Sequence, residues 1–301
     1  MGKSLMVWVC VFGLVTVTGY YLIVDHLPSL QVLTPAKRMN VQDGVDPNFY
    51  VFLAFGQSNM EGFSPYEAQD QQTSERFLMM AAVDCPELNR VQGSWYPAAA
   101  PITRCNTGIS PVDYFGKTLI AKLPSHIKVG VINVSVGGTR IELFDEDERA
   151  SYLQDSPDWL KNTASHYNDS PYDRLVSLAK EAQKKGVIKG ILLHQGESNT
   201  GDAMWPMKVK KVYDRLLRDL NLPQDSVPIL AGEVVGEAQG GKCASMNPII
   251  QSLPTYIPKA YVISSQDCEA IDDGLHFSTA GYRELGSRYG EQMLDVLTKL
   301  N

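Results

Sequence analysis

The chain has 301 residues, of which 44% are hydrophobic, and it carries a formal net charge of -7 at pH 7. This length and apolar content are enough to bury a full hydrophobic core, and single α/β domains of this size are common. Acidic and basic residues are mixed along the chain, so its charge gives no reason to expect a nucleic-acid partner.

The amino-terminal segment differs in composition from the rest of the chain. No charged residue occurs between Lys3 and Asp25, and an apolar run of this length is about what is needed to cross a hydrocarbon core of ~30 Å. A cleaved signal peptide usually has a shorter apolar region followed by small residues, whereas the first alanine here is Ala36. The pattern therefore favours an uncleaved anchor over a removed signal peptide, with the amino terminus in the cytoplasm.

This composition divides the chain into three regions. Residues 1–24 are predicted to be a membrane anchor or signal segment, and residues 25–47, which contain several prolines, are predicted to be a linker. Residues 48–301 are predicted to form one domain outside the cytosol, either anchored to a membrane or secreted.

Four cysteines lie in the predicted exported domain. An even number of cysteines is typical of disulfide bonds formed in an oxidising compartment. Pairing neighbours closes the shortest loops and would join Cys85 to Cys105 and Cys243 to Cys268, while the other two connectivities stay open. No CxxC spacing occurs, so a zinc site is not expected.

Short apolar segments alternate with amphipathic helical segments through this domain. The alternation predicts an α/β fold with a mainly parallel five-stranded sheet and helices on both faces. Residues 61–110 and 142–170 are interpreted as surface insertions. The predicted strands cover residues 49–56, 129–134, 190–194, 228–233 and 260–264, and the predicted helices cover residues 111–123, 172–185, 207–220 and 279–300.

Polar segments that contain glycine follow the ends of four predicted strands. Because ligands bind outside the carboxyl ends of strands in such sheets, we expect the four segments to converge on one crevice. That convergence favours a functional Ser58 over a serine that only caps a helix. The segments are GQSN from Gly56, SVGGT from Ser135, HQGES from His194 and DDGLH from Asp272.

A serine hydroxyl needs a base within hydrogen-bonding reach, and a group that orients the base, before it attacks an ester. The chain has five histidines, and His276 lies in a strand-end loop, three positions after Asp273. An acid beside an imidazole holds its tautomer and stabilises the imidazolium. His194 ends an apolar strand and is interpreted as a packed structural histidine.

Acyl transfer also needs donors for the developing oxyanion. Gly138, in the pair after the second strand, would let the backbone approach a substrate closely and expose an N–H. Gln195 offers a side-chain amide at the end of the third strand, and the backbone N–H of Ser58 is a third candidate.

Together these segments resemble the SGNH hydrolases and, more narrowly, the sialate O-acetylesterase domain and the family 6 carbohydrate esterases, which include acetylxylan esterases. The resemblance implies a flavodoxin-like, three-layer α/β/α fold, hydrolysis of acetyl esters on carbohydrates, and no cofactor. It also implies that Ser58 is the nucleophile and His276 the base, with Gly138 and Gln195 in the oxyanion hole. The matching segments are GQSNMEG at 56–62, INVSVGGTRI at 132–141, HQGESN at 194–199 and DGLHFSTAGY at 273–282.

The resemblance leaves the helper acid open. Asp273 has the usual DxxH placement and is preferred, with Glu197 as a second acid or as a residue that orders the Ser58 and Gln195 loops. Most SGNH hydrolases have an asparagine at the position of Gln195. The narrower acetylesterase group differs from them in the same way as this chain does.

Two alternatives remain at this point. His194, Glu197, Asp273 and His276 would instead form a divalent metal site in a metal-dependent hydrolase, although the close HxH or HExxH spacing is missing. A binding module without catalysis would use aromatic residues to stack on sugars. For the esterase, the expected partner is an acetylated oligosaccharide or polysaccharide whose sugar the sequence does not identify. The aromatic candidates are Trp95, Tyr96, Tyr152, Trp159 and Trp205.

Overall fold

A central seven-stranded sheet organises the protein in a computed structural model that describes residues 37–39 and 44–299. The predicted membrane segment and most of the predicted linker lie outside the described residues. In the part of the chain that is described, no helix combines the length and the apolar character needed to span a membrane.

The sheet is parallel except at one edge. Its strands are β1 (Phe49–Gly56), β2 (Phe77–Met80), β3 (Trp95–Pro97), β4 (Lys128–Ser135), β5 (Val187–His194), β6 (Ile229–Gly232) and β7 (Ala260–Ile263). Their order is β3-β2-β4-β1-β5-β6-β7, and only the β2–β3 pair is antiparallel. The mainly parallel sheet was predicted, and all five predicted strands are present.

The prediction of five strands was wrong in number, because β2 and β3 lie in the region interpreted as an insertion. Each is very short, and the FLMM sequence of β2 has no alternation that would distinguish a strand from part of a buried helix. β2 is defined by its pairing with β4, where Leu78 lies opposite Gly130, and with β3, where Met79 lies opposite Tyr96. Such long-range pairing is not visible in a local sequence window.

The four predicted helices are present and begin and end close to the predicted positions. Ser110 and Asp113 form a capping box at the start of the helix that begins at Pro111, which fixes that end by satisfying free backbone N–H groups. The insertion at 142–170 contains two helices of its own. The helices are α1 (Ser58–Glu61), α2 (Pro111–Lys122), α3 (Glu146–Asp155), α4 (Asp158–Ser165), α5 (Pro171–Gln183), α6 (Trp205–Asp219), α7 (Asn247–Gln251) and α8 (Thr279–Lys299).

Alternate residues of β1 face two separate apolar clusters. Val51, Leu53 and Phe55 belong to the cluster that includes α5 and α6, and Phe52 and Ala54 belong to the cluster that includes α2 and α8. All five side chains are buried, as expected for a central strand covered on both faces. The predicted three-layer α/β/α arrangement is therefore confirmed.

β1 also marks the point where the order of the sheet reverses. The chain passes from β1 to β4 on one side of it and later returns to β5 on the other side. The chain leaves β1 toward β2 on one side and leaves its neighbour β5 toward β6 on the other side, so the loops after β1 and β5 diverge and open a crevice between them. This topology brings the ends of β1, β4 and β5 together.

One of the two predicted disulfides is present. Cys85 and Cys105 are bonded, which confirms that pair. Cys243 and Cys268 are free thiols, so their predicted pairing was wrong. The physical reason is that Cys268 is buried in the cluster on the α8 side of the sheet, whereas Cys243 packs against the cluster on the other side.

Candidate active site

Ser58 stands where β1 ends and a one-turn helix begins. β1 runs to Gly56, and Ser58 is the first residue of α1. A Cβ atom at Gly56 would lie 2.1 Å from the carbonyl oxygen of His194, so only glycine lets the ends of β1 and β5 approach this closely. The sharp turn leaves Ser58 half-buried at the carboxyl edge of the sheet.

Three of the predicted site residues form one chain of hydrogen bonds. His276 Nε2 lies 2.8 Å from Ser58 Oγ, and His276 Nδ1 lies 2.6 Å from Asp273 Oδ2. Asp273 Oδ1 accepts hydrogen bonds from the backbone N–H groups of Leu275 and His276, at 2.8 and 2.9 Å. One short loop therefore presents the acid and the imidazole together and directs the ring toward the serine hydroxyl.

The surroundings of His276 keep its ring in this orientation. Burial raises the pKa of Asp273, but hydrogen bonds from the His276 ring and from two backbone N–H groups lower it more, so the pKa lies below its ordinary value of 3.8. The carboxylate is thus ionised at neutral pH. The Phe63 ring stacks on the imidazole with the ring centres 3.6 Å apart and the planes within 3° of parallel.

Glu197, the other candidate acid, makes no hydrogen bond or ion pair with the His276 ring among the described residues. Its carboxylate accepts a hydrogen bond from Asn59 Nδ2 at 2.5 Å and lies 3.9 Å from His194 Nε2. Asn59 Nδ2 also donates to the carbonyl of Leu275 at 2.9 Å. Glu197 is therefore linked to the His276 loop through Asn59, which was part of the GQSN segment but had no predicted role.

The Gly137–Gly138 turn after β4 is held beside Ser58. The backbone N–H of Gly137 donates to Glu61 Oε1 at 3.1 Å, and the carbonyl of Gly138 accepts from Ser198 Oγ at 2.9 Å. Gly138 has a φ of 69°, in the left-handed region that favours glycine. Within residues 37–39 and 44–299, neither the Ser58 N–H nor the Gly138 N–H donates to a protein acceptor.

Gln195 lies behind the crevice, with only 1% of its surface exposed. Its Nε2 donates to Asn199 Oδ1 at 2.8 Å, to Gln57 Oε1 at 3.1 Å and to the carbonyl of Thr139 at 3.2 Å. Its Oε1 accepts from the indole N–H of Trp205 at 2.5 Å, and this donor fixes which amide atom is the oxygen. The amide of Gln195 is thus occupied by protein partners and is not presented to a substrate.

Gln57, and not Gln195 as expected, has its side-chain amide at the cavity next to Ser58. Gln57 Oε1 accepts from Gln195 Nε2 at 3.1 Å and from the backbone N–H groups of Ser198 and Gly196 at 3.2 and 3.4 Å. Because a backbone N–H is only a donor, the oxygen must face these groups. The Nε2 of Gln57 has no acceptor among the described residues, and the side chain lines the cavity next to Ser58.

Residues 48–295 match the model of one protein family, described as "carbohydrate esterase, sialic acid-specific acetylesterase". The chain belongs to this family. It is accordingly a carbohydrate esterase, as its four strand-end segments indicate. A probable carbohydrate esterase of Arabidopsis thaliana is 26% identical over 272 residues, which cover 84% of this chain and 94% of the relative.

Solved structures share the fold of this esterase. An Arabidopsis thaliana protein aligns with a TM-score of 0.63 at 20% identity, covering 83% of this chain and 99% of its own. NanS aligns with a TM-score of 0.58 at 17% identity, and the alignment covers 85% of this chain and 99% of NanS. A carbohydrate acetylesterase from Xanthomonas citri aligns with a TM-score of 0.54 at 18% identity, and the alignment covers 80% of this chain and 55% of the other. At these identities the likeness shows the fold.

The residues of the metal-site alternative do not form a metal-binding group in this esterase. A metal site needs several His, Cys, Asp or Glu side chains whose ligand atoms lie close together. Within the described residues, one such group has its ligand atoms within 4.8 Å of one another, and it consists of Cys85, Glu87 and Cys105. Two members of that group are joined in a disulfide. Among the four residues of the alternative, His194 is fully buried, and burial lowers its pKa to about 3. This burial agrees with the interpretation of His194 as a packed structural histidine.

Ser58 opens onto a cavity of about 370 Å³, which we call the Ser58 crevice. This volume is within the range of roughly 300–1,000 Å³ that is typical of ligand pockets. Of the aromatic candidates for sugar contact, Trp159 lines this crevice and is 56% exposed, whereas Trp95, Tyr96 and Trp205 are buried. The crevice is lined by Gln57, Ser58, Glu61, Phe63, Gly137, Gly138, Trp159, Glu197, Ser198, Cys243, Leu275 and His276.

Replacing Glu197 with glutamine is expected to change how stability depends on pH. Burial raises the pKa of Glu197 from 4.5 to about 7 because the ionised form loses its hydration. A carboxyl group with a raised folded-state pKa contributes stability that is fully present below the unfolded-state value and is lost as the pH rises through the folded-state value. Glutamine does not titrate, so the variant should lose this part of the pH dependence.

Thermal unfolding of the wild type and Glu197→Gln between about pH 4 and pH 8 measures this effect. The melting temperature of the wild type relative to the variant should fall as the pH rises across this window. A difference between the two proteins that stays constant with pH would show that Glu197 has an ordinary pKa.

Proposed function

We propose that this esterase removes O-acetyl groups from carbohydrates through an acetyl-enzyme formed on Ser58. The observation that carries the proposal is the unbroken hydrogen-bonded chain from Ser58 Oγ through His276 to Asp273, at 2.8 and 2.6 Å. Membership of the carbohydrate esterase family supports an acetylated sugar as the substrate. The Cys85–Cys105 disulfide supports action outside the cytosol.

In the first half of the reaction, Ser58 Oγ attacks the carbonyl carbon of the acetyl group while His276 Nε2 takes the serine proton. The Asp273 carboxylate stabilises the imidazolium that forms. His276 then gives this proton to the sugar oxygen as the ester bond breaks, so the sugar leaves as a neutral alcohol and the acetyl group stays on Ser58. No cofactor enters the step.

The second half repeats the proton transfers with water. His276 takes a proton from a water molecule that attacks the acetyl-serine, and it returns that proton to Ser58 Oγ as acetic acid leaves and releases its remaining proton to solvent to become acetate. Both halves pass through a tetrahedral oxyanion. The N–H groups of Ser58 and Gly138, which have no acceptor in the described part of the chain, are the backbone donors that we assign to it, together with the Nε2 of Gln57.

Gln57 provides a direct test of this oxyanion hole. Replacing Gln57 with leucine is expected to lower kcat by roughly 10²–10³ and to leave KM nearly unchanged, because the lost donor acts in the transition state. Gln57→Glu should lower kcat at least as much, since it keeps the acceptor for the three N–H donors and places negative charge toward the oxyanion. Steady-state kinetics with 4-nitrophenyl acetate measure both, and wild-type kcat in both variants would exclude Gln57 from the oxyanion hole.

The proposed function is tested by acetate release from a panel of acetylated glycans, with serine-directed phosphonate and a chelator in separate reactions. We expect acetate release that the phosphonate abolishes and the chelator does not, with the phosphonate found on Ser58 by mass spectrometry. Binding of glycans without any acetate release would instead favour a binding module. Inhibition by the chelator would favour the metal-dependent alternative.

A further inference from the structure

We infer that a second cavity next to the Ser58 crevice binds another sugar of the substrate, so that the preferred substrate is a neutral acetylated oligosaccharide. This inference rests on the proposed function. The cavity, which we call the α3–α4 cavity, has a volume of about 480 Å³ and lies between the two helices of the 142–170 insertion and the Gly137–Gly138 turn. Nothing in the proposed chemistry at Ser58 uses it.

The two cavities share one wall. Gly138, Trp159 and Ser198 line both of them. A Cβ atom at Gly138 would lie 2.5 Å from the Trp159 ring, so the indole packs directly against the turn that carries a proposed oxyanion donor. A sugar whose acetyl group reaches Ser58 therefore has the α3–α4 cavity beside it, across the wall formed by Gly138, Trp159 and Ser198.

The lining of the α3–α4 cavity has the groups that recognise a sugar. The Trp159 indole is more than half exposed, and such a surface stacks on the apolar face of a pyranose ring. Ser151 and Asp155 on α3 are exposed and have no hydrogen-bond or ionic partner in the described part of the chain, so both are free to bind sugar hydroxyls. These side chains give the cavity an aromatic wall beside hydroxyl and carboxylate groups.

The charges around both cavities favour a neutral sugar over an acidic one. Among the described residues that line the Ser58 crevice, none is lysine or arginine, and the guanidinium of Arg104, which does not line it, pairs with Glu61 at 2.5 Å. Arg140 lines the α3–α4 cavity, but its guanidinium pairs with Glu142 at 3.2 Å. A sugar carboxylate would find no unpaired lysine or arginine among the described lining residues, and its loss of hydration would not be compensated.

The test compares O-acetylated xylose, O-acetylated xylotetraose and an O-acetylated sialic acid as substrates of the whole protein. We expect the wild type to prefer the tetraose in kcat/KM over both monosaccharides. Ser151→Trp, which fills the cavity from an exposed helix position, should raise KM for the tetraose about tenfold or more and leave the acetylated xylose unaffected. Asp155→Ala removes only the carboxylate and should show the same selectivity with a smaller effect.

The matched control is Ser165→Trp, which places the same side chain at an exposed position of α4 that lines neither cavity. It should leave all three substrates unaffected. Equal rates on xylose and the tetraose, an unchanged tetraose KM in both cavity variants, or a preference for the sialic acid would each overturn the inference. If none of the three sugars released acetate, the proposed function itself would be overturned.

Discussion

Replacing Ser58 with alanine is expected to lower kcat for acetyl-ester hydrolysis by at least about 10⁴-fold without disturbing the fold. Among the described residues, Ser58 Oγ makes one hydrogen bond, to His276 Nε2 at 2.8 Å. Without the hydroxyl no acetyl-enzyme forms, and only slow attack by water beside the imidazole and the oxyanion donors remains. KM for a carbohydrate should change little, because the groups that contact the sugar are still present.

Ser165→Ala is the matched control for this experiment. Ser165 is an exposed serine of α4 whose hydroxyl, among the described residues, donates only to the carbonyl of Asn162, so its loss should alter neither kcat nor the melting temperature. Ser58→Ala should also unfold at the wild-type temperature and should no longer react with a serine-directed phosphonate. Equal rates for Ser58→Ala and the wild type would exclude the acetyl-enzyme mechanism.

The convergence of the strand ends was predictable because parallel strands impose it. Apolar segments of β1, β4 and β5 are long enough to be recognised, and each ends in a polar segment with glycine. Once the strands are parallel, their carboxyl ends share an edge regardless of the details of pairing. The Asp273–His276 spacing is local as well, so the loop that joins the acid and the imidazole was visible in the sequence.

The direction of a buried amide was not predictable in the same way. Gln57 and Gln195 both lie at strand ends, and either would suit an oxyanion hole by residue type. What separates them is the indole N–H of Trp205, which binds Gln195 Oε1, and the two backbone N–H groups that bind Gln57 Oε1. These donors come from other parts of the fold, so the sequence near each glutamine does not reveal which amide reaches the crevice.

The short edge strands and the state of the second cysteine pair were also not predictable from local sequence, because both depend on long-range packing. β2 and β3 contain four and three residues, too few for a periodic signal. Cys243 and Cys268 are 25 positions apart in the numbering of the chain, yet the sheet separates the clusters in which they pack. Loop length alone favoured their pairing, and the layered fold prevents it.

Replacing Asp273 with asparagine is expected to lower kcat by about 10⁴-fold at neutral pH, because it changes the tautomer of His276. The carboxylate Oδ2 accepts the Nδ1 proton at 2.6 Å, which leaves Nε2 free to take the proton of Ser58. An asparagine amide at this place donates to Nδ1 instead, and the ring then carries its proton on Nε2. Steady-state kinetics with 4-nitrophenyl acetate measure the loss.

The loop itself should survive this substitution. Asparagine keeps an oxygen that can accept from the backbone N–H groups of Leu275 and His276, as Asp273 Oδ1 does at 2.8 and 2.9 Å. The melting temperature of Asp273→Asn should therefore stay close to the wild-type value near neutral pH. A variant that melts much earlier would show that the carboxylate charge supports the loop as well as the imidazole.

Glu197→Gln separates the two candidate acids. Glu197 reaches the His276 loop only by way of Asn59 in the contacts that the described residues make, and glutamine keeps an oxygen for the Asn59 amide. We therefore expect kcat of Glu197→Gln to stay within a few-fold of the wild type, in contrast to the loss in Asp273→Asn. If the glutamine variant instead lost as much activity as the asparagine variant, the helper acid would be Glu197, and the Asp273 contact would serve only to hold the loop.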